Sequence, residues 1–151
     1  MLINKKNNKA FSLIEVLIFV SILSIFFVAV ATVTVASLRN MKINEHKILA
    51  TYYAEQLLEW VRDQKEADWM AFLSKSAEGS GKKYCFNSTT LSWPSEGQCT
   101  TYGLLSFFKR DLKLVTTSSG SQINATVTIS WQEVGNNYQV PLATVFTVWE
   151  D

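Results

Sequence analysis

Apolar and polar positions fall into three successive regimes along this chain. From Phe11 to Leu38 there is no Lys, Arg, Asp, Pro or Gly, and Glu15 is the only ionisable side chain. These 28 residues predict a helix of about 42 Å, more than the ~30 Å of a bilayer's hydrocarbon core. Helical character continues from Arg39 to about Gln64, again without Gly or Pro, but the pattern becomes one-sided. Ile43, Leu49 or Ala50, Tyr53 or Ala54, Leu57, Leu58 and Val61 follow the spacing of a single apolar stripe, while Glu45, Lys47, Glu55, Glu59, Arg62 and Asp63 supply the wet side. A short second helix is expected at about Ala67 to Leu73, and Ser74 to Lys83, with Gly79 and Gly81, is expected to be a flexible connection.

Beyond that point the period changes to two. Ile123, Ala125, Val127, Ile129 and Trp131 alternate with Asn124, Thr126, Thr128, Ser130 and Gln132, the pattern of a half-buried strand. Gly135-Asn136-Asn137 offers turn chemistry, so Tyr138 to Trp149 is expected to return as an antiparallel partner. Phe107 to Val115 reads as a third strand, and a fourth is placed at Lys83 to Asn87 or between the two cysteines, where Pro94 and Gly97 make the chain irregular. Strands gathered after one long helix imply an α+β layer, a three- to four-stranded antiparallel sheet covering the amphipathic half of the helix. The core is expected to place Trp131, Phe146, Leu112 and Val127 against Leu57, Leu58 and Val61.

Glu15 is out of place in this scheme. An ionisable group in an apolar span costs on the order of 3 kcal/mol at the bilayer centre and marks function with a specific partner. Its surroundings are Lys9-Ala10-Phe11-Ser12-Leu13-Ile14-Glu15, a basic leader and a small residue followed by the apolar helix. This stretch resembles the class III signal of type IV prepilins and pseudopilins, over roughly residues 5 to 38. Ala10 stands where that family usually has Gly. The helix-breaking Gly and Pro of many major pilins are absent, with Ser24 and Thr32 near those places. The end of the chain, Val127 to Trp131 and then Val145 to Trp149, is similar to some minor pilins. The resemblance implies a pilin-like fold, cleavage between Ala10 and Phe11 by a membrane prepilin peptidase, and methylation of the new Phe11 amine. It also implies assembly with other pilin subunits through an inner-membrane platform driven by a cytoplasmic ATPase.

Charge orients this arrangement. Lys5, Lys6 and Lys9 are the leader's only charged side chains, and without these three lysines the net charge falls from +1 to −2. Basic flanks stay cytoplasmic, so residues 1–10 are expected inside, 11–38 in the membrane or the filament core, and 39–151 outside as a globular domain. A secretory signal cut after Ala29-Val30-Ala31 is the alternative, but it explains neither Glu15 nor the apolar run on to Leu38. Glu15 is expected to neutralise the Phe11 amine of an adjacent subunit as helices pack, fixing their stagger. The competing reading is that it snorkels to the headgroups or bonds its own amine.

The remaining chemistry is sparse. The balance of 14 basic and 13 acidic residues argues against direct nucleic-acid binding. Cys85 and Cys99, the only cysteines, are expected to form one disulfide in an exported domain; two unpaired thiols are the alternative, and a zinc site would have only His46 to add. His46 lies among exposed charges and is expected to be solvated; no nucleophile–base set, phosphate loop, metal or cofactor is indicated. Asn87-Ser88-Thr89 and Asn124-Ala125-Thr126 match a glycosylation pattern that chance often produces. Three readings follow: a filament subunit, a monomeric membrane-anchored or secreted binding domain, or an anchored enzyme whose site no motif reveals.

Overall fold

Helix α1 runs unbroken from Leu13 to Ala67, as the absence of Gly and Pro over that length allows. It is followed by α2 (Trp69–Ser74) and strands β1 (Lys82–Cys85), β2 (Lys109–Thr116), β3 (Gln122–Glu133) and β4 (Asn136–Thr147) in a computed structural model that describes residues 12–117 and 120–148. Contacts divide the chain between Lys42 and Ile43 into two units.

The described part of the first unit is helix from Leu13 on. Its apolar side chains stand exposed from Leu13 to Leu38, Ile25 at 71% and Phe27 at 61% for example. The hydroxyls along it are turned inward on the backbone: Ser21, Ser24, Thr32 and Thr34 donate to the carbonyls of Leu17, Val20, Ala29 and Val30, each at 2.8 Å. Such back-bonding satisfies the polar groups within the helix, as an apolar environment requires.

The second unit has the α+β architecture expected. All neighbouring strands pair antiparallel in the order β1-β2-β3-β4. The inner face of β3, Ile123 to Trp131 at every second residue, is fully buried against Ala50, Ala54, Leu57 and Val61 of α1. Leu58 sits at the margin of this core, half-buried. Of each either-or pair on the stripe, the small residues Ala50 and Ala54 take the centre, which lets the sheet approach the helix closely, and Leu49 and Tyr53 flank it. Helix α1 stops where Asp68 turns extended and caps α2, its carboxylate accepting from Ala71 N at 2.9 Å.

Several boundaries differ from expectation. The β3–β4 turn is the pair Val134-Gly135, one residue earlier than Gly135-Asn136-Asn137, with both residues at positive φ (50° and 78°). β2 begins at Lys109 because Leu104 and Phe108 first close a tight loop of their own. The expected flexible connection is held in place: Ser76 is buried and Ala77 bridges to Val115. A Cβ on Gly81 would come within 2.6 Å of the Leu114 carbonyl, so only glycine fits that approach to β2.

β4 forms one open edge of the sheet, and Pro141 lies midway along it opposite Thr128. Having no N–H, Pro141 cannot enter a pair that exchanges two backbone bonds, so its ring faces the free edge and interrupts the row a foreign strand would pair with.

Candidate functional site

Glu15 lies in the first turn of α1, where negative charge suits the positive end of the helix. The helix opens on Ser12, whose carbonyl accepts from Glu15 N at 3.0 Å and Val16 N at 3.3 Å. Ser12 and Glu15 have the spacing of a capping box, although among the described residues their contact is the backbone bond alone. Its side chain is exposed and meets no cation among the described residues. Ala10 and Phe11 lie outside the described residues.

The two cysteines do pair: Cys85 and Cys99 form a disulfide, with Cys99 buried. The segment it closes is part of the core, not a loose loop. Trp93 packs its ring at 5.2 Å from Trp60 and 5.4 Å from Tyr84, and its Nε1 donates to Gln64 Oε1 at 3.2 Å. The disulfide therefore straps an aromatic lid over one flank of α1. Cys85→Ser is expected to lower the domain's stability by about 3 kcal/mol, since the closed loop spans about 15 residues. Thermal unfolding of the full chain with and without reductant checks this: an unchanged midpoint would mean that Trp93 holds the segment unaided.

Arg110 is a second strap that sequence reasoning missed. It is fully buried, on the same inner face of β2 as Leu112 and Leu114. Its Nε donates to Phe86 O at 3.0 Å, Nη2 to Ser88 O at 2.8 Å, and Nη1 to Gln56 Oε1 at 3.1 Å and Tyr53 O at 3.3 Å. One guanidinium thus ties helix, strand and disulfide segment together. Burial lowers its pKa from the ordinary guanidinium value to about 10, so it remains charged at neutral pH. Period two already assigned position 110 to the inner face; its charge hid it.

Asp111, next along β2, faces the other way and accepts the Cys99 N–H at 2.7 Å. Burial raises its pKa; the Cys99 hydrogen bond and the charges of Lys83 and Lys109 oppose that without cancelling it. The folded protein therefore holds this proton more tightly than the unfolded chain. The associated stability is fully present below the unfolded value and is lost as pH rises through the folded one. Asp111→Asn keeps an acceptor for Cys99 and is expected to flatten that part of the stability profile. Urea midpoints of both proteins across the acid range check it, parallel profiles counting against it.

His46 is not solvated. Its Nδ1 lies 2.8 Å from Glu133 Oε2, both side chains being only about 15% exposed, and its ring packs at 4.5 Å from Phe107 and 6.5 Å from Trp131. Position 46 falls on the helical stripe between Ile43 and Ala50, a signal that the polar neighbours of His46 obscured. The contact pins the β3–β4 hairpin to the helix.

Residues 5–31 match the family model described as the prokaryotic N-terminal methylation motif. No curated protein and no solved structure matches the chain. The matched span holds the basic leader, Ala10, Phe11 and Glu15, and runs well into the exposed apolar helix. The head of the chain accordingly carries a prepilin-type class III signal, set on a long apolar helix with an α+β domain behind it.

Proposed function

We propose that this chain is a structural subunit, a minor pilin or pseudopilin, of a type IV pilus or type II secretion-like filament. It waits as a single-span precursor of the cytoplasmic membrane, with residues 1–10 inside, 11–38 in the bilayer and 39–151 outside. Prepilin peptidase removes the leader between Ala10 and Phe11, and the new amine of Phe11 is methylated. An inner-membrane platform then draws the helix into a periplasmic or extracellular filament of other pilin subunits. The role is architectural, not catalytic.

The observation that carries this reading is the apolar half of α1. Among the described residues, every side chain from Leu13 to Leu38 is exposed. Such a surface needs lipid, and then neighbouring helices, to leave water. A carboxylate in the first turn of that helix then needs a cation once water is gone, and the Phe11 amine of a neighbour is the group that the processing reaction creates.

Intact-mass measurement of the membrane-extracted protein tests the assignment. A mass starting at Phe11, with or without one methyl, supports it; a start at Met1 or Thr32 favours the anchored or secreted monomer. Ala10→Asp is expected to leave the precursor uncut, because a charged side chain replaces the small one at the scissile bond. A normally processed product from that variant would move the cleavage site elsewhere.

A further inference from the structure

The face of the sheet turned away from the core is polar along its middle. Inner positions of β2 and β3 are buried, so the alternate residues, Asp111 and Lys113 on β2 and Thr126, Thr128 and Ser130 on β3, stand on the opposite face. Gln98 follows the Glu96-Gly97 stretch that runs beside β1 and forms one wall there. Between it and the β3 hydroxyls lies a cleft of about 390 Å³ over Lys83, Asp111 and Lys113.

The charges in this cleft are arranged at a cost to the fold. Lys83 and Lys113 are direct partners in the β1–β2 register and both line the cleft, and like charges placed opposite one another destabilise a sheet. Lys109, the next lysine on this face of β2, is engaged by the Tyr102 ring at 4.5 Å. Lys83 Nζ donates to Gln98 Oε1 at 3.3 Å, which spends the oxygen of that amide and leaves its NH2 to donate. Asp111 accepts the Cys99 N–H on Oδ1, and its second oxygen remains an acceptor beside the two lysines. Cations therefore stand next to a mixed set of donors and acceptors. A phosphate, which only accepts, would face the Asp111 carboxylate without pairing it, whereas a polyol that carries a carboxylate satisfies both sets.

We propose that this cleft binds an acidic saccharide, a uronate unit whose carboxylate lies between Lys83 and Lys113 and whose ring hydroxyls pair with Asp111, Thr128 and the Gln98 amide. The row from Thr126 to Ser130 is about 14 Å long at ~3.4 Å per residue, so the face extends beyond one sugar ring and suits a polymer. The ligand's negative charge would relieve the repulsion between the two lysines. This goes beyond the filament reading and holds whether or not the chain polymerises.

Isothermal titration of the full chain in detergent with trigalacturonate, and with the neutral galactose trimer beside it, tests the proposal. The expected result is binding of trigalacturonate alone, weakened about tenfold or more when Lys83→Gln and Lys113→Gln are combined and about fivefold by Thr128→Val. Thermal midpoints of the variants without ligand are expected to be no lower than the parent's, because the lysine pair repels and all three side chains lie off the core; should the double variant melt early, Lys83→Gln alone takes its place. Trigalacturonate is expected to raise the parent's midpoint and not that of the lysine variant. No binding of trigalacturonate, equal affinity for the neutral trimer, or lysine variants that bind like the parent each overturn the inference. Weakening by the lysine variants with Thr128→Val unchanged, or displacement of the saccharide by single-stranded DNA at equal charge, marks a general polyanion surface and overturns it too.

Discussion

Glu15→Ala is expected to be inserted and processed like the parent, yet to reach filaments at about one-hundredth of the parent's level or less. The substitution leaves the apolar helix intact and removes one carboxylate from its first turn. In the proposed filament core its loss strands the neighbour's Phe11 amine without a counter-charge, a situation that costs about 3–5 kcal/mol in a low-dielectric interior. At about 1.4 kcal/mol per tenfold, that is two orders of magnitude or more in incorporation. A purely capping contribution from Glu15 would predict much less, since losing a cap costs about 1 kcal/mol. Glu15→Gln separates the two, because glutamine still caps but cannot neutralise an amine. Quantifying the variant against the parent in sheared filaments decides between them: parental incorporation of Glu15→Gln would leave capping as the residue's whole contribution.

Arg110→Ala is the second large effect, and it acts on the domain. The pKa depression to about 10 corresponds to roughly 3 kcal/mol of solvation not recovered on burial. Alanine would return that. Against it stand four acceptors that the guanidinium satisfies: Tyr53 O lies within the helix, and Phe86 O, Ser88 O and Gln56 Oε1 lose this partner at about 1–3 kcal/mol each, plus a cavity worth about 2. The losses outweigh the gain, and a net destabilisation of about 4 kcal/mol is expected, a fall of about 15 °C or more in the thermal midpoint. Arg110→Lys is expected to rescue little of it, because one ammonium on a flexible stem cannot reach acceptors on helix, strand and disulfide segment together. A midpoint within a few degrees of the parent for Arg110→Ala would show that these acceptors find water instead.

The two variants sit at opposite ends of what could be read in advance. Glu15 is legible because nothing else in the apolar run is ionisable, and contrast alone singles it out. Arg110 occupies a strand position whose neighbours two and four residues on, Leu112 and Leu114, are plainly core, but its charge masks that phase. His46 was misjudged in the same way, its stripe position outvoted by polar neighbours. In each case the polar group is buried because acceptors from distant segments converge on it, and sequence separation hides such convergence: Arg110 reaches back 57 residues to Tyr53, and His46 forward 87 to Glu133.

The sequence by itself determined the long helix, the change from a lipid-type to an amphipathic face, and the antiparallel hairpin that closes the chain, while it left the strand number at three or four and the cysteine pairing as an expectation. Each of these is set by local periodicity or by simple scarcity of a residue type. Tertiary structure alone decided which side of the stripe packs, that Trp93 lids the helix, that Arg110 and His46 join segments far apart in the chain, and that Val134 stands in a left-handed turn. The physical reason is one of range: periodicity reports how a residue relates to its neighbours within two turns, whereas a buried cation or a strained loop tip is fixed by groups that only folding brings near.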